Sequence, residues 1–168
     1  IRASKEGIVQ VANYNCDSQI VIAGEIKAVD KALEIAKELG AKRTIKLKVS
    51  APFHTSMLKG AGEKLYSELQ NIKLKEMKIP VMTNVTGTYI NDVHDIKTIL
   101  KEQVMSSVLW EDIIKNMIEE GVDTFIEIGP GKALCGFVKK INRKVKVLNV
   151  EDLNSLRKTV DELKGDKN

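Results

Sequence analysis

The chain has 168 residues, of which 43% are hydrophobic and 30% charged, and its formal net charge is +4. This balance is typical of a folded globular protein and excludes an intrinsically disordered chain. No apolar run approaches the roughly 20 residues of a membrane-spanning helix, and a 4% aromatic content is low for the base-stacking surfaces of single-stranded nucleic-acid binders. We therefore expect neither a membrane nor a nucleic acid as partner.

The two cysteines, Cys16 and Cys135, are far apart and lack the spacing of a metal site or a redox pair. We interpret both as reduced structural residues, which indicates a cytoplasmic protein without a metal site. The chain begins at Ile1 rather than at methionine. This beginning suggests that the sequence is part of a longer protein.

The first 50 residues predict two strands, a helix and a third strand. Segments 7–15 and 18–24 are rich in β-branched residues, and apolar positions at helical spacing follow over 25–40, where Gly40 ends the pattern. Segment 43–49 alternates apolar and polar residues, as a half-exposed strand does. This order is typical of three-quarters of a ferredoxin-like sandwich whose first strand and helix would precede Ile1. Residues 1–50 are thus predicted to form an incomplete ferredoxin-like small subdomain.

Residues 51–168 alternate helices and strands. The pattern predicts helices over 55–71, 95–105, 109–120 and 153–165, the last with Asn154 as a possible N-cap. It predicts a short buried strand at 79–84 and further strands before the glycine turn at 129–131 and over 144–150. We assign these residues to the C-terminal part of a layered α/β domain. The overall fold class is α/β.

His54 is the candidate catalytic residue, because it stands in "SAPFHTSML" at the junction of the two predicted parts. A neutral imidazole can take a proton from a hydroxyl nucleophile near pH 7. None of the serines or cysteines lies in the G-x-S-x-G pattern of a nucleophile on a sharp strand-to-helix turn. The chain therefore offers a candidate base without a candidate nucleophile, while His94, in a polar loop, is given no role.

The glycine turn in "IEIGPGKALCG" follows a strand and opens a helix, as phosphate-binding loops do. It matches neither of the two glycine-rich nucleotide signatures, since Lys132 is followed by Ala133. We interpret it as a tight turn that leads into the helix.

Four segments together resemble the malonyl-CoA:acyl carrier protein transacylases of fatty-acid synthesis. They are "VANYNCDSQIVIAG", "SAPFHTSML", "IPVMTNVTG" and "SSVLWEDIIKNMIEEGVDTFIEIGPGKALCGFVKKI", and the resemblance extends over about residues 7–150. It implies the C-terminal part of an α/β hydrolase-like acyltransferase domain over residues 51–168. It also implies an acyltransferase that moves malonyl from coenzyme A to the phosphopantetheine thiol of acyl carrier protein through an acyl-serine.

The resemblance implies roles for five residues and no cofactor. His54 matches the general base, and the backbone carbonyl of Leu109 matches the group that orients it. Phe53, Asn13 and Asn15 match positions beside the acyl group. The nucleophilic serine and the arginine for the malonyl carboxylate would belong to an N-terminal half, so this chain alone is expected to be inactive.

Three further expectations concern partners and alternatives. The basic residues near the end are a candidate docking site for acidic acyl carrier protein, and they are Lys139, Lys140, Arg143, Lys144 and Lys146. A polyketide-type acyltransferase with a branched extender unit is an alternative, which Phe53 disfavours because of its bulk. A non-enzymatic ferredoxin-like binding module is another, but it would predict paired aromatic residues on the sheet, where the strands carry only Tyr14.

Overall fold

The structure, a computed structural model, describes residues 2–49 and 51–165. The chain divides into two compact units, with the division between Ile113 and Ile114. The predicted boundary at residue 50 concerns subdomains of a longer protein and stays a prediction. Among the described residues, no helix is both long enough and apolar enough to cross a bilayer.

The first unit begins with an antiparallel strand pair packed on a helix. Strand β1 (Val9–Cys16) pairs with β2 (Gln19–Gly24), and α1 (Ile26–Glu38) follows, with Ala28 and Ile35 buried. The turn out of β2 requires glycine, because a Cβ on Gly24 would lie 2.1 Å from the Ile8 carbonyl oxygen. Both predicted strands and the predicted helix are present.

The predicted strand at 43–49 is wrong, since none of residues 43–49 belongs to a strand. Its apolar residues Ile45, Leu47 and Val49 are 54%, 56% and 68% exposed. Lys46 instead makes a salt bridge with Asp30 of α1 at 2.6 Å. The alternation is that of a strand, but a strand needs a neighbouring strand, and among the described residues the sheet that contains β1 and β2 has no third strand. Among the described residues, the binding-module alternative has only the β1–β2 pair of its expected sheet.

Two helices, α2 (Lys59–Gln70) and α3 (Ile96–Gln103), pack together in the first unit. Lys101 joins them, because its ammonium lies 2.8 Å from the Glu63 carboxylate and 5.2 Å from the centre of the Tyr66 ring. A short 3-10 helix, Ser56–Leu58, leads into α2. The predicted helices over 55–71 and 95–105 are thus confirmed within a few residues.

Segment 79–90 forms a tight turn instead of the predicted buried strand. Met82 and Tyr89 make an isolated antiparallel bridge, while Ile79 and Val81 are exposed. Gly87 closes the turn with φ +69°, and a Cβ there would lie 3.2 Å from Asp112 Cβ. The prediction failed because the threonine hydroxyls of this segment bond to each other and to its backbone, which favours a turn over a ladder.

Helix α4 (Trp110–Glu119) spans the division, and the second unit continues as a strand–helix–strand–helix run. Strands β3 (Thr124–Ile128) and β4 (Lys146–Val150) are parallel and are joined by α5 (Ala133–Ile141). Helix α6 (Leu153–Gly165) follows, and its first turn is capped by Asp152, which accepts from the Ser155 N–H at 2.7 Å. The predicted cap Asn154 is therefore replaced by Asp152, the residue directly before the helix.

Candidate active site

His54 has a backbone conformation that non-glycine residues rarely adopt. Its φ is +61°, and it is the one non-glycine residue with positive φ within 2–49 and 51–165. Such a conformation costs of order 1–3 kcal/mol and persists only where the surroundings hold it. Next to it, Thr55 is completely buried, and its hydroxyl donates to the Pro52 carbonyl at 2.7 Å. The turn around His54 is therefore fixed locally.

The same turn binds the C-terminal end of α3 with two hydrogen bonds. The His54 N–H donates to the Val104 carbonyl at 3.2 Å, and the ring nitrogen Nδ1 lies 3.1 Å from the Gln103 carbonyl oxygen. Carbonyls at the end of a helix lack intrahelical partners, so they are free to accept these bonds. Because a carbonyl oxygen only accepts, this contact assigns the proton of the neutral ring to Nδ1, which leaves the lone pair on Nε2. The half-buried ring is held in the tautomer that a general base needs.

The predicted contact with Leu109 is corrected by this geometry. The Leu109 carbonyl accepts from the Ile113 N–H at 3.0 Å as part of the first turn of α4, and the Leu109 N–H donates to the Asn84 carbonyl at 2.9 Å. The carbonyl on the His54 ring is that of Gln103, six residues earlier. The signal that could have found it is the end of the predicted helix 95–105, where unsatisfied carbonyls are expected.

The segment that follows α3 connects the His54 turn with the part of β1 that carries the two asparagines. Val108 donates to the Ala12 carbonyl at 2.8 Å and accepts from the Tyr14 N–H at 2.9 Å, which makes a parallel bridge beside Asn13. The Ser107 hydroxyl donates to the Val11 carbonyl at 2.5 Å. The segment from Gln103 to Val108 therefore contacts His54 at its start and the backbone on both sides of Asn13 at its end. Asn15 lies two residues further along the same strand, and both asparagines are half-buried.

Phe53 directly precedes His54 and is 55% exposed. An aromatic ring with that much exposure is not a core residue of the described chain.

The glycine turn at 129–131 is filled by carboxylates of the protein itself. Glu127 accepts from the N–H groups of Leu134 at 3.2 Å and Cys135 at 2.7 Å, and Glu151 accepts from the Gly131 N–H at 3.0 Å. A phosphate at this helix N-terminus would meet two negative side chains that already use its donors. This geometry supports the interpretation of a structural turn.

Two titratable groups at this turn influence each other. Burial raises the pKa of Glu127, but the N–H and thiol of Cys135 and the N–H of Leu134 outweigh it, so the net pKa of Glu127 is lowered. Burial, followed by the nearby Glu127 carboxylate, raises the pKa of the Cys135 thiol to about 11, while the thiol itself donates to the Leu148 carbonyl at 3.3 Å. This thiol is therefore protonated at neutral pH and is a poor nucleophile.

We expect Glu127→Gln to destabilise the protein by about 0.5–2 kcal/mol, the usual cost of removing a helix cap, with partial exposure favouring the lower end. Because the pKa of Glu127 is lowered in the folded state, its contribution is fully present above the unfolded value of 4.5 and is lost as the pH falls from there through the lower folded value. Thermal unfolding of both proteins at pH 7 and at pH 3 measures this difference. A gap in melting temperature that is as large at pH 3 as at pH 7 would contradict an ionised cap.

In the part of the chain that the structure describes, no group of three or more His, Cys, Asp or Glu residues could hold a metal ion. The candidate site consists of the His54 ring, the Gln103 and Val104 carbonyls at the C-terminal end of α3, the neighbouring Phe53 and the β1 asparagines.

Known proteins resemble the chain over nearly its whole length, although no protein family model matches it. The malonyl CoA-acyl carrier protein transacylase of Bacillus subtilis (strain 168) is 47% identical over 164 residues, which are 97% of this chain and 52% of that protein. A crystal structure of a malonyl CoA-acyl carrier protein transacylase from Clostridium perfringens superimposes with a TM-score of 0.94 at 55% identity, covering 98% of this chain and 52% of that one.

The chain is similar to malonyl CoA-acyl carrier protein transacylases. The resemblance inferred from the sequence motifs is thus confirmed, and so is the α/β fold class. A third match is a type II PKS acyl-carrier protein in complex with its malonyl-transacylase, with a TM-score of 0.91 at 35% identity over 96% of this chain and 53% of that chain. The chain spans about half the length of the transacylases that it matches.

Proposed function

We propose that the chain is the C-terminal part of a malonyl-CoA:acyl carrier protein transacylase of fatty-acid synthesis. One observation carries the proposal: His54 is held with Nδ1 on the Gln103 carbonyl, in a chain 47% identical to a transacylase. We call this chain, joined to the part of its relatives that it does not span, the complete protein. Both cysteines are free in the structure, which fits the proposed cytoplasmic location.

In the first half-reaction His54 accepts a proton at Nε2 from a serine hydroxyl, which the resemblance implies in the part of the protein outside this chain. The serine oxygen attacks the thioester carbonyl carbon of malonyl-CoA, and the carbon–sulfur bond breaks. The proton passes from Nε2 to the leaving coenzyme A thiolate. This yields malonyl-serine and free coenzyme A.

The second half-reaction reverses these steps with another thiol. The phosphopantetheine thiol of acyl carrier protein gives its proton to Nε2, and its sulfur attacks the malonyl-serine carbonyl carbon. The serine oxygen leaves and regains the proton from Nε2. Throughout, the Gln103 carbonyl keeps Nδ1 protonated, so that the ring alternates between neutral and positively charged forms without changing its orientation.

The experiment that tests the function is malonyl loading. The complete protein is incubated with malonyl-CoA and holo acyl carrier protein, and the carrier is measured by intact mass. We expect malonyl-carrier to accumulate and a malonylated enzyme to be trapped when the carrier is omitted. Transfer of acetyl or methylmalonyl in preference to malonyl would contradict the proposed substrate.

Phe53 tests the alternative with a branched extender unit. A bulky ring beside the base leaves room for malonyl but crowds an α-methyl group, and an apolar pocket distinguishes one methylene by about 10–200-fold. We therefore expect Phe53→Ser to lower the malonyl-to-methylmalonyl ratio of kcat/KM without inverting it. The ratio and the melting temperature are measured together. Equal slowing of both substrates with a lower melting temperature would make Phe53 a packing residue instead.

The basic residues after α5 are the proposed contact for acyl carrier protein. Lys139, Lys140, Arg143 and Lys144 are all exposed, but the Lys139 ammonium already donates to the Val145 carbonyl at 2.7 Å. We expect the double variant Lys140→Glu, Lys144→Glu to raise KM for the carrier several-fold and leave KM for malonyl-CoA unchanged, with a smaller effect at high salt. Equal increases for both substrates would assign these residues to coenzyme A.

A further inference from the structure

Gln10 makes a contact to the His54 turn that the catalytic scheme does not use. Its side-chain oxygen Oε1 accepts two hydrogen bonds from one residue: from the Ser56 N–H at 2.7 Å and from the Ser56 hydroxyl at 2.9 Å. Gln10 lies on β1, and Ser56 begins the 3-10 helix two residues after His54. One side chain of the sheet therefore binds the turn on its C-terminal side.

This bond replaces the cap that the short helix lacks. The N-cap position is Thr55, whose side chain makes no capping bond because its hydroxyl donates to Pro52. The first N–H groups of a helix need an acceptor, and Gln10 supplies one from a separate strand. Because both the N–H and the hydroxyl of Ser56 converge on one oxygen, the position of Ser56 relative to β1 is fixed in distance and direction.

The turn is thus held at two places, at His54 itself and at Ser56 two residues later. On one side His54 itself is bonded to Val104 and Gln103 at the end of α3, and on the other Ser56 is bonded to Gln10. The left-handed conformation of His54 persists only while its surroundings hold it, and the Ser56–Gln10 bonds are part of those surroundings. Releasing Ser56 would let the backbone rotate and draw the ring nitrogen away from the Gln103 carbonyl.

We propose that Gln10 is a positioning residue, which keeps His54 in the left-handed conformation and its ring on Gln103. The inference rests on the proposed role of His54 as general base. This role requires the acceptor oxygen of the Gln10 side chain, whereas a residue with only a packing role would need no acceptor.

The activity test compares four variants of the complete protein. Each rate is measured at the plateau of that variant's own pH–rate profile, so that the charge added in Gln10→Glu does not change the rate through a shifted pH optimum. Gln10→Leu keeps the size and removes the acceptor, so we expect kcat for malonyl transfer to fall about tenfold with KM nearly unchanged. Ser56→Ala removes one of the two bonds and should cost about threefold. Gln10→Glu keeps the acceptor oxygens and should stay within about threefold of the parent.

Gln70→Leu is the matched control, because the Gln70 side chain bonds only to the Tyr66 carbonyl within its own helix. It should leave kcat unchanged. Equal losses in Gln10→Leu and Gln10→Glu, an unchanged kcat in Gln10→Leu, or an equal loss in Gln70→Leu would each overturn the proposal.

A second readout does not depend on catalysis. The ring nitrogens of His54 in the complete protein are observed by ¹⁵N NMR and assigned by their loss in His54→Asn. The parent should show a protonated Nδ1 and an unprotonated Nε2, and Gln10→Leu should shift both toward the average of the two tautomers while Gln10→Glu does not. Unchanged shifts in Gln10→Leu overturn the proposal. Suppose that the parent and the Gln10 variants show the expected shifts while His54→Asn keeps full activity. This result would refute only the role of His54 as base.

Discussion

Replacing His54 in the complete protein is expected to lower malonyl transfer by about 10²–10⁴-fold, the usual contribution of a general base. The loss should appear in kcat, because the imidazole takes part in proton transfer and not in binding the coenzyme. The choice of replacement matters, since residue 54 has φ +61°. Asparagine tolerates this conformation better than alanine, so His54→Asn separates loss of the base from backbone strain.

The control for this experiment is the second histidine. His94 is exposed, and its N–H donates to the Asp92 carboxylate in a 3-10 turn. His94→Asn should leave the rate within about twofold of the parent, as is usual for surface changes. Equal losses in the two variants at equal melting temperature would mean that His54 is not the base.

The 168-residue chain on its own is expected to give no malonyl transfer above a control without protein. It contains His54 but no serine in a G-x-S-x-G pattern, and a base without a nucleophile has nothing to activate. Intact mass of acyl carrier protein after incubation with malonyl-CoA measures the loading, with the complete protein as positive control. Loading by the isolated chain, with its purity confirmed by mass, would contradict this expectation and would mean that the chain itself contains a nucleophile.

Local structure was largely predictable from the sequence where an element depends on its own residues. The strands at 7–15 and 18–24 and the helices of both units follow from β-branched runs, helical spacing and glycine stops, and the structure has them within a few residues. The prediction of a strand at 43–49 was wrong because a strand depends on residues elsewhere in the chain. Its alternating pattern requires a neighbouring strand, and the described chain provides none.

The candidate site divides in the same way. The motif around His54 identified the histidine itself. The carbonyl that orients the His54 ring was predicted to be that of Leu109, but in the structure it is that of Gln103. Residues 54 and 103 are brought together by the packing of α2 on α3, a tertiary arrangement that spacing along the chain does not encode. The Gln10 contact was missed because it depends on a strand side chain that reaches a turn 46 residues later.

The parallel pair β3 and β4 has a practical consequence for work with the 168-residue chain on its own. It is a sheet of only two strands, so each strand leaves one edge without a ladder partner among the described residues, and Ile128 is 81% exposed. Unpaired edges that carry exposed apolar side chains are templates for pairing with other molecules. Purified alone, the piece will be prone to precipitate as its concentration rises. Co-expression with the part of its relatives that the chain does not span, or fusion to a solubilising carrier, is therefore the sensible route to material for crystallisation and spectroscopy.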